Sequence, residues 1–217
     1  QRSLVGSEMC IRDSLRLAMR ISEVSPALAK ETVEEVMGNP TKYPIMESND
    51  DNAFFWWIGT DPNYYEPMAD GYRTRKTEYC AADVIVDHMN TREDPRRSSY
   101  FQPTKESVEA GEPKYVGYTI GAKANAVASK YSIWGVRFFT DLAGFSPYMR
   151  VAEPWFCVAE ASMLGWNTGI SAEDAYNKAV TYSMEENSVS AEDIADYLAN
   201  AGKFTNDKKP VSYTHLT

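Results

Sequence analysis

EPWFCVAEASMLGWNTGISAEDAYNKAV, residues 153–180, is the stretch whose reading decides the architecture. Its first half reads as one helix, entered at Glu153-Pro154 and left at Leu164-Gly165. Ser171-Ala172-Glu173-Asp174 then forms a variant of the capping box, which opens a second helix through Tyr176, Ala179, Val180 and Ser183. Ala159, Ala161 and Ala175 supply small positions where neighbouring helices can approach closely. The stretch therefore predicts two packed helices joined by a short loop.

The same grammar recurs on either side. A further helix starts at Ser190 and carries Ile194, Tyr197, Leu198 and Ala201 before Gly202. Near the other end, Leu17, Ile21 and Val24 fall at helical spacing from Leu15 onward, with Arg16 and Arg20 between them. That pattern breaks at Ser25-Pro26 and resumes through Leu28, Ala29, Val33 and Val36 to the stop signal Gly38-Asn39-Pro40. Ser25 is expected to cap the new helix through its side chain, and Pro26 suits the first helical position. The expected fold is mainly α, with tetratricopeptide-like helix pairs framing an irregular region.

That region, from about Asn39 to Arg150, holds most of the Pro, Gly and aromatic residues and one clear helical piece around Tyr79 to Met89. NAFFWWIG, residues 52–59, reads as a short strand, in which successive side chains point to opposite faces. Phe54, Trp56 and Ile58 would share one face, and Phe55 and Trp57 the other.

The two ends carry a different signature. Met9-Cys10-Ile11-Arg12-Asp13-Ser14 can be written in codons as ATG TGT ATA AGA GAC AGx, and the reverse complement of that string, shifted one frame, encodes Val211-Ser212-Tyr213-Thr214-His215. One DNA word read in both directions accounts for both ends, and it resembles a transposase end used to tag fragments for sequencing. Residues 1–14 and 211–217 are therefore expected to be translated adapter, leaving 15–210 as a partial domain without its natural termini. Expression scars are excluded from fold reasoning on the same ground. The excision removes Cys10 and His215, so Cys80, Cys157 and His88 remain.

The 217 residues are 43% hydrophobic and 24% charged, which suits one globular domain or a large part of one. No run of about 18 apolar residues exists to span a membrane. A formal net charge of -9 argues against nucleic acid, whose binding depends on Lys and Arg neutralising phosphates. Two isolated cysteines are too few for a disulfide framework.

Residues 153–180 resemble the tetratricopeptide-like pair near the end of SusD/RagB-like proteins, in which a helix bearing an Ala-Glu-Ala element ends in Gly-Trp and an acidic-capped helix follows. Here these are Ala159-Glu160-Ala161 and Gly165-Trp166. LRLAMRIS with its following helix, MNTREDPRRSSYF with its Asp94-Pro95-Arg96 turn, and YVGYTIG occur in the order that family uses. The resemblance covers nearly all of residues 15–204. It implies a lipid-anchored protein of the outer-membrane surface in Bacteroidota-type bacteria, one that captures starch-like or other glycan without catalysis and passes it to a SusC-type TonB-dependent transporter. Neither a cofactor nor a metal is implied. Peptide cargo within the same family is the alternative. Outside the family, the rivals are a helical-repeat adaptor for proteins and, further off, a helical glycoside hydrolase.

Sugar rings present apolar C–H faces to indole and phenol rings, and their hydroxyls need polar partners at the rim. The chain has 5 Trp and 14 Tyr, and Trp56-Trp57 followed by Asp61-Pro62-Asn63-Tyr64-Tyr65 sets aromatic and polar groups on a loop, where binding groups concentrate. Trp57, Tyr64 and Tyr65 are the first ligand-binding candidates and Trp134 the next, with Trp57 placed ahead of Trp56 by the alternation. Trp155 and Trp166 read as packing within the helix pair.

Catalytic candidates are absent. Glu153 and Glu160 lie on one helical face but about 10 Å apart along the axis, beyond a glycosidase pair. His88 has Asp87 beside it and no nucleophile at motif spacing. Asn49-Asp50-Asp51-Asn52 lacks the glycine and glutamate of a calcium-binding EF-hand loop and reads as a turn.

Overall fold

The helix pair read from residues 153–180 is present in a computed structural model, which describes residues 2–75, 79–122 and 127–206. In chain order the helices and strands are α1 (Arg2–Arg20), α2 (Pro26–Gly38), β1 (Ala53–Trp56), α3 (Pro67–Arg75), α4 (Asp83–Thr91), α5 (Arg97–Tyr100) and β2 (Phe101–Gln102). They continue with α6 (Lys105–Glu109), β3 (Ile133–Trp134), α7 (Val136–Phe139), β4 (Phe145–Met149), α8 (Ala152–Met163), α9 (Ala172–Glu186) and α10 (Ala191–Ala199). The fold is mainly helical, with β1 paired to β4 and β2 to β3 as two-stranded ladders. Contacts group the described residues into two compact units, one of 2–53, 147–186 and 204–206, the other of 54–146 and 187–203.

The first unit is built from the two helix pairs, with α8 packed on α9, α1 on α2 and α1 on α8. Ala159, Ala161, Ala175 and Ala179 are completely buried, so the helices meet where no long side chain separates them. Phe156, Val158, Val180 and Met184 fill the layer around them. Gly165 ends α8 with φ at +79°, which lets the Trp166 N–H reach the Ala161 carbonyl at 3.1 Å and the Gly165 N–H reach Ser162 at 3.0 Å. Ser171 opens α9 as expected, accepting the Asp174 N–H at 3.0 Å. Trp155 is buried and donates its indole N–H to the Met46 carbonyl at 2.9 Å, with the Lys178 ammonium 3.8 Å from its ring centroid.

Four local expectations are corrected. Helix α1 begins at Arg2 rather than at Leu15. Its buried stripe is Ile11, Leu15, Ala18 and Met19, while Leu17 and Val24 are exposed, so the inward face lies beside the one the spacing suggested. Ser25 makes no side-chain cap; its carbonyl accepts the Ala29 N–H at 3.0 Å, and Pro26 alone marks the start of α2. The helical piece begins at Asp83 rather than Tyr79, because the Ala81 N–H is already committed to the Ser132 carbonyl and the Ala81 carbonyl to the Tyr118 N–H, each at 2.7 Å.

The second unit has its own apolar cluster of Ala81, Val86, Met89 and Phe101, with Ile85, Tyr100, Tyr115 and Trp134 packed against it. Phe101 on β2 lies opposite Trp134 on β3. Ser190 caps α10 by accepting the Asp193 N–H at 3.1 Å.

Candidate functional site

The chain after β1 is stitched so that it presents aromatic rings at the surface of the second unit. The Trp57 N–H donates to the Gly144 carbonyl at 2.9 Å and the Glu66 N–H to Leu142 at 2.9 Å, tying residues 57–66 to the run that leads into β4. Gly59 has φ at +71°, and a Cβ there would come within 2.6 Å of Ala143, so only glycine permits this approach. The Gly59 N–H reaches the Tyr64 carbonyl at 3.2 Å and closes the loop, while Asp61 accepts the Asn63 N–H at 2.9 Å. Glu66 is buried, and burial holds its carboxyl above the ordinary range; one oxygen accepts the Ala69 N–H at 2.7 Å at the start of α3.

Trp57, Tyr64 and Tyr65 are thereby brought onto one loop. Tyr64 is exposed and Tyr65 half-buried, with the Arg73 guanidinium 5.6 Å from the Tyr65 ring centroid. Trp57 is half-buried and spends its indole N–H on Ser146 Oγ at 3.0 Å. Its neighbour Trp56 is 63% exposed. The alternation separates the two faces, since Phe54 pairs with Trp56 at 6.0 Å and Phe55 with Trp57 at 5.0 Å. It is Trp56, however, that offers the more open ring.

Beneath Trp56 lies a stack the sequence did not disclose. Phe145 sits 5.3 Å from the Trp56 ring and 4.7 Å from Phe54, and the Arg137 guanidinium lies 4.6 Å from the Phe145 centroid. From Phe145 the rings continue through Phe138, Tyr100 and Phe101 to Trp134, at successive separations of 6.4, 5.8, 6.3 and 5.9 Å. Trp134 is thus joined to the surface rings through packed intermediates, and it is half-buried against the apolar cluster. Residues 54–57 announced an aromatic strand, but Phe145 and Arg137 lie far along the chain, and no local pattern links them to it.

The groups weighed for catalysis or metal are engaged elsewhere. Glu153 is held by Arg12 at 2.6 Å and Arg16 at 3.0 Å. His88 Nδ1 lies 2.9 Å from an Arg92 guanidinium nitrogen. Asp51 accepts the N–H groups of Glu47 and Ser48, both at 2.9 Å, and Asn52 accepts that of Val151 at 2.7 Å, so the acidic stretch forms a turn. Among the described residues, no group of three or more His, Cys, Asp or Glu side chains is placed to hold a metal ion.

Packed helix pairs accompanied by a short β-ladder that carries an exposed tryptophan backed by packed aromatic rings define a helical scaffold with an aromatic surface. Residues 13–216 match the profile of the SusD-like family described as starch-binding and associating with outer membrane, and the chain belongs to that family. A solved SusD homologue from Bacteroides uniformis is 32% identical with a TM-score of 0.73, over 89% of this chain and 38% of that one. A SusD-like protein from Bacteroides thetaiotaomicron is 30% identical with a TM-score of 0.72, over 88% and 37%. A chitin-binding SusD homologue from Flavobacterium johnsoniae is 28% identical with a TM-score of 0.67, over 88% and 36%. The chain spans little more than a third of the length of these relatives. No protein of curated function matches it.

Proposed function

We propose that the protein carrying this chain captures polysaccharide or oligosaccharide at the outer-membrane surface, without cleaving it, and delivers it to a SusC-type TonB-dependent transporter. The observation that carries the reading is the exposed Trp56 indole, 63% open and backed by Phe145 and Phe54. An indole face that is already immobilised and partly dry can pack against a sugar ring with little ordering cost. Tyr64, with Trp57 and Tyr65 on the same loop, supplies hydroxyl and further ring surface at the rim. The family's description and the chitin-binding relative from Flavobacterium johnsoniae support a glycan as the cargo. No described helix is long and apolar enough to cross a membrane, and a lipid anchor on the whole protein would hold it at the surface.

The test uses the complete reading frame, expressed without its anchor and run by affinity electrophoresis through plant, host and microbial polysaccharides. The expected result is retardation by at least one glycan, lost in Trp56→Ala with the melting temperature unchanged, and no release of reducing ends. Retardation by none of them would turn the reading toward peptide cargo, and reducing ends released in step with enzyme concentration would overturn the non-catalytic part.

A further inference from the structure

The rings packed beside Trp56 are braced by the polar side chains of Arg137 and Asn187. Arg137 on α7 lays its guanidinium against Phe145, 4.6 Å from the centroid, and 5.7 Å from the centroid of Phe138. A planar cation stacked on an aromatic face fixes the tilt of that ring as well as attracting it. The guanidinium is itself oriented, because one terminal nitrogen donates to Asn187 Oδ1 at 3.0 Å. The same oxygen accepts the Ser99 hydroxyl at 3.0 Å. Asn187 is buried, at 8% exposed, and follows directly on α9, far along the chain from both donors. Ser188, next to it, has φ at +60°, a backbone state uncommon for a residue with a side chain.

We infer that Arg137 and Asn187 are positioning residues for ligand binding: Asn187 fixes the guanidinium, the guanidinium fixes Phe145, and Phe145 sets the angle at which Trp56 meets a sugar face. This rests on the reading of Trp56 as a glycan platform. Its physical content is preorganisation, since a ring already held in its bound orientation loses less freedom when the ligand arrives. Asn187 meets both the Arg137 and Ser99 donors through Oδ1, so a carboxylate at that position keeps the acceptor they share and a methyl group does not. Arg137 acts through a plane, so lysine keeps the charge but loses the stack.

The experiment takes the complete protein without its anchor and a polysaccharide that retards it, and measures affinity and melting temperature for Arg137→Lys, Asn187→Ala and Asn187→Asp. Binding is expected to weaken about three- to tenfold in Arg137→Lys and Asn187→Ala, the cost of ordering one or two side chains, and to stay within about twofold in Asn187→Asp. If Asn187→Ala also melts early, the cycle of Arg137→Lys with Trp56→Phe decides, because Phe keeps a ring that still binds, and a residue acting through that ring couples to the exchange whereas a merely structural one adds independently. Unchanged affinity in Arg137→Lys, or equal losses in Asn187→Asp and Asn187→Ala, would overturn the inference while leaving capture through Trp56 intact. A wild-type protein that binds no polysaccharide would overturn the capture reading and this one with it.

Discussion

Asp94 and Arg96, separated by one proline, close a two-pronged ion pair inside the second unit. Arg96 Nε donates to Asp94 Oδ1 at 2.9 Å and a terminal nitrogen to Oδ2 at 2.5 Å, and the two side chains are 4% and 5% exposed. The Arg96 backbone N–H adds a third bond to the same carboxylate at 2.9 Å. Removing one partner of a buried pair leaves the other charge without compensation, which costs about 3–5 kcal/mol. Asp94→Ala is therefore expected to lower stability by that amount in urea unfolding of the complete protein, and a loss under about 1 kcal/mol would mean that water reaches the pair.

The Trp57 indole illustrates how a ring can be prominent in sequence and occupied in structure. Its N–H reaches Ser146 Oγ at 3.0 Å, and its backbone N–H reaches Gly144. Ser146→Ala leaves the half-buried indole N–H without that partner, and a cost of about 1 kcal/mol is expected from the lost hydrogen bond. Polysaccharide retardation through Trp56 should survive the change. If Ser146→Ala abolished retardation at unchanged stability, Trp57 rather than Trp56 would be the platform.

The helix pairs were legible because their signals are local. Ser171, Ser190, Pro26 and Gly165 punctuate the chain within a few residues of the ends they mark, and the small positions Ala159, Ala161 and Ala175 pack as their size implies. The inward face of α1 was not legible, because Leu17 and Leu15 are equally apolar and only their neighbours decide between them. Alternation likewise split residues 54–57 into two faces but could not say which one Ser146 and Phe145 would cover. The Arg137–Asn187 contact joins side chains with no shared periodicity, which no reading of single-chain pattern can join.

Arg12, within the residues read as adapter, shares the Glu153 carboxylate with Arg16. Its side chain is buried and pairs with Glu153, yet its Nε lies buried without a hydrogen-bond partner among the described residues. We propose that residues 1–14 and 211–217 are adapter-derived, with Arg16, 3.0 Å from Glu153, as that carboxylate's native partner. Resequencing the locus is expected to show different codons before Leu15 and after Pro210. Genomic codons running unchanged through Ser14 and Val211 would end the proposal.

Cys157 on α8 makes stability depend on alkaline pH with a definite sign. Burial first, and the Glu153 and Glu160 carboxylates after it, push its thiol from the ordinary 9.0 up to about 12. Between those values the unfolded chain releases the proton while the folded chain keeps it, so the contribution is complete below pH 9 and falls as pH rises. The slope from this one group is at most about 1.4 kcal/mol per pH unit. Cys157→Ala removes the titration, so the free-energy difference between wild type and variant should shrink from pH 8 to pH 10 in urea unfolding of the complete protein. Other groups that titrate in this range cancel in that difference. A difference that stayed constant across the range would show that the folded thiol ionises as readily as the unfolded one, against the burial of Cys157 on α8.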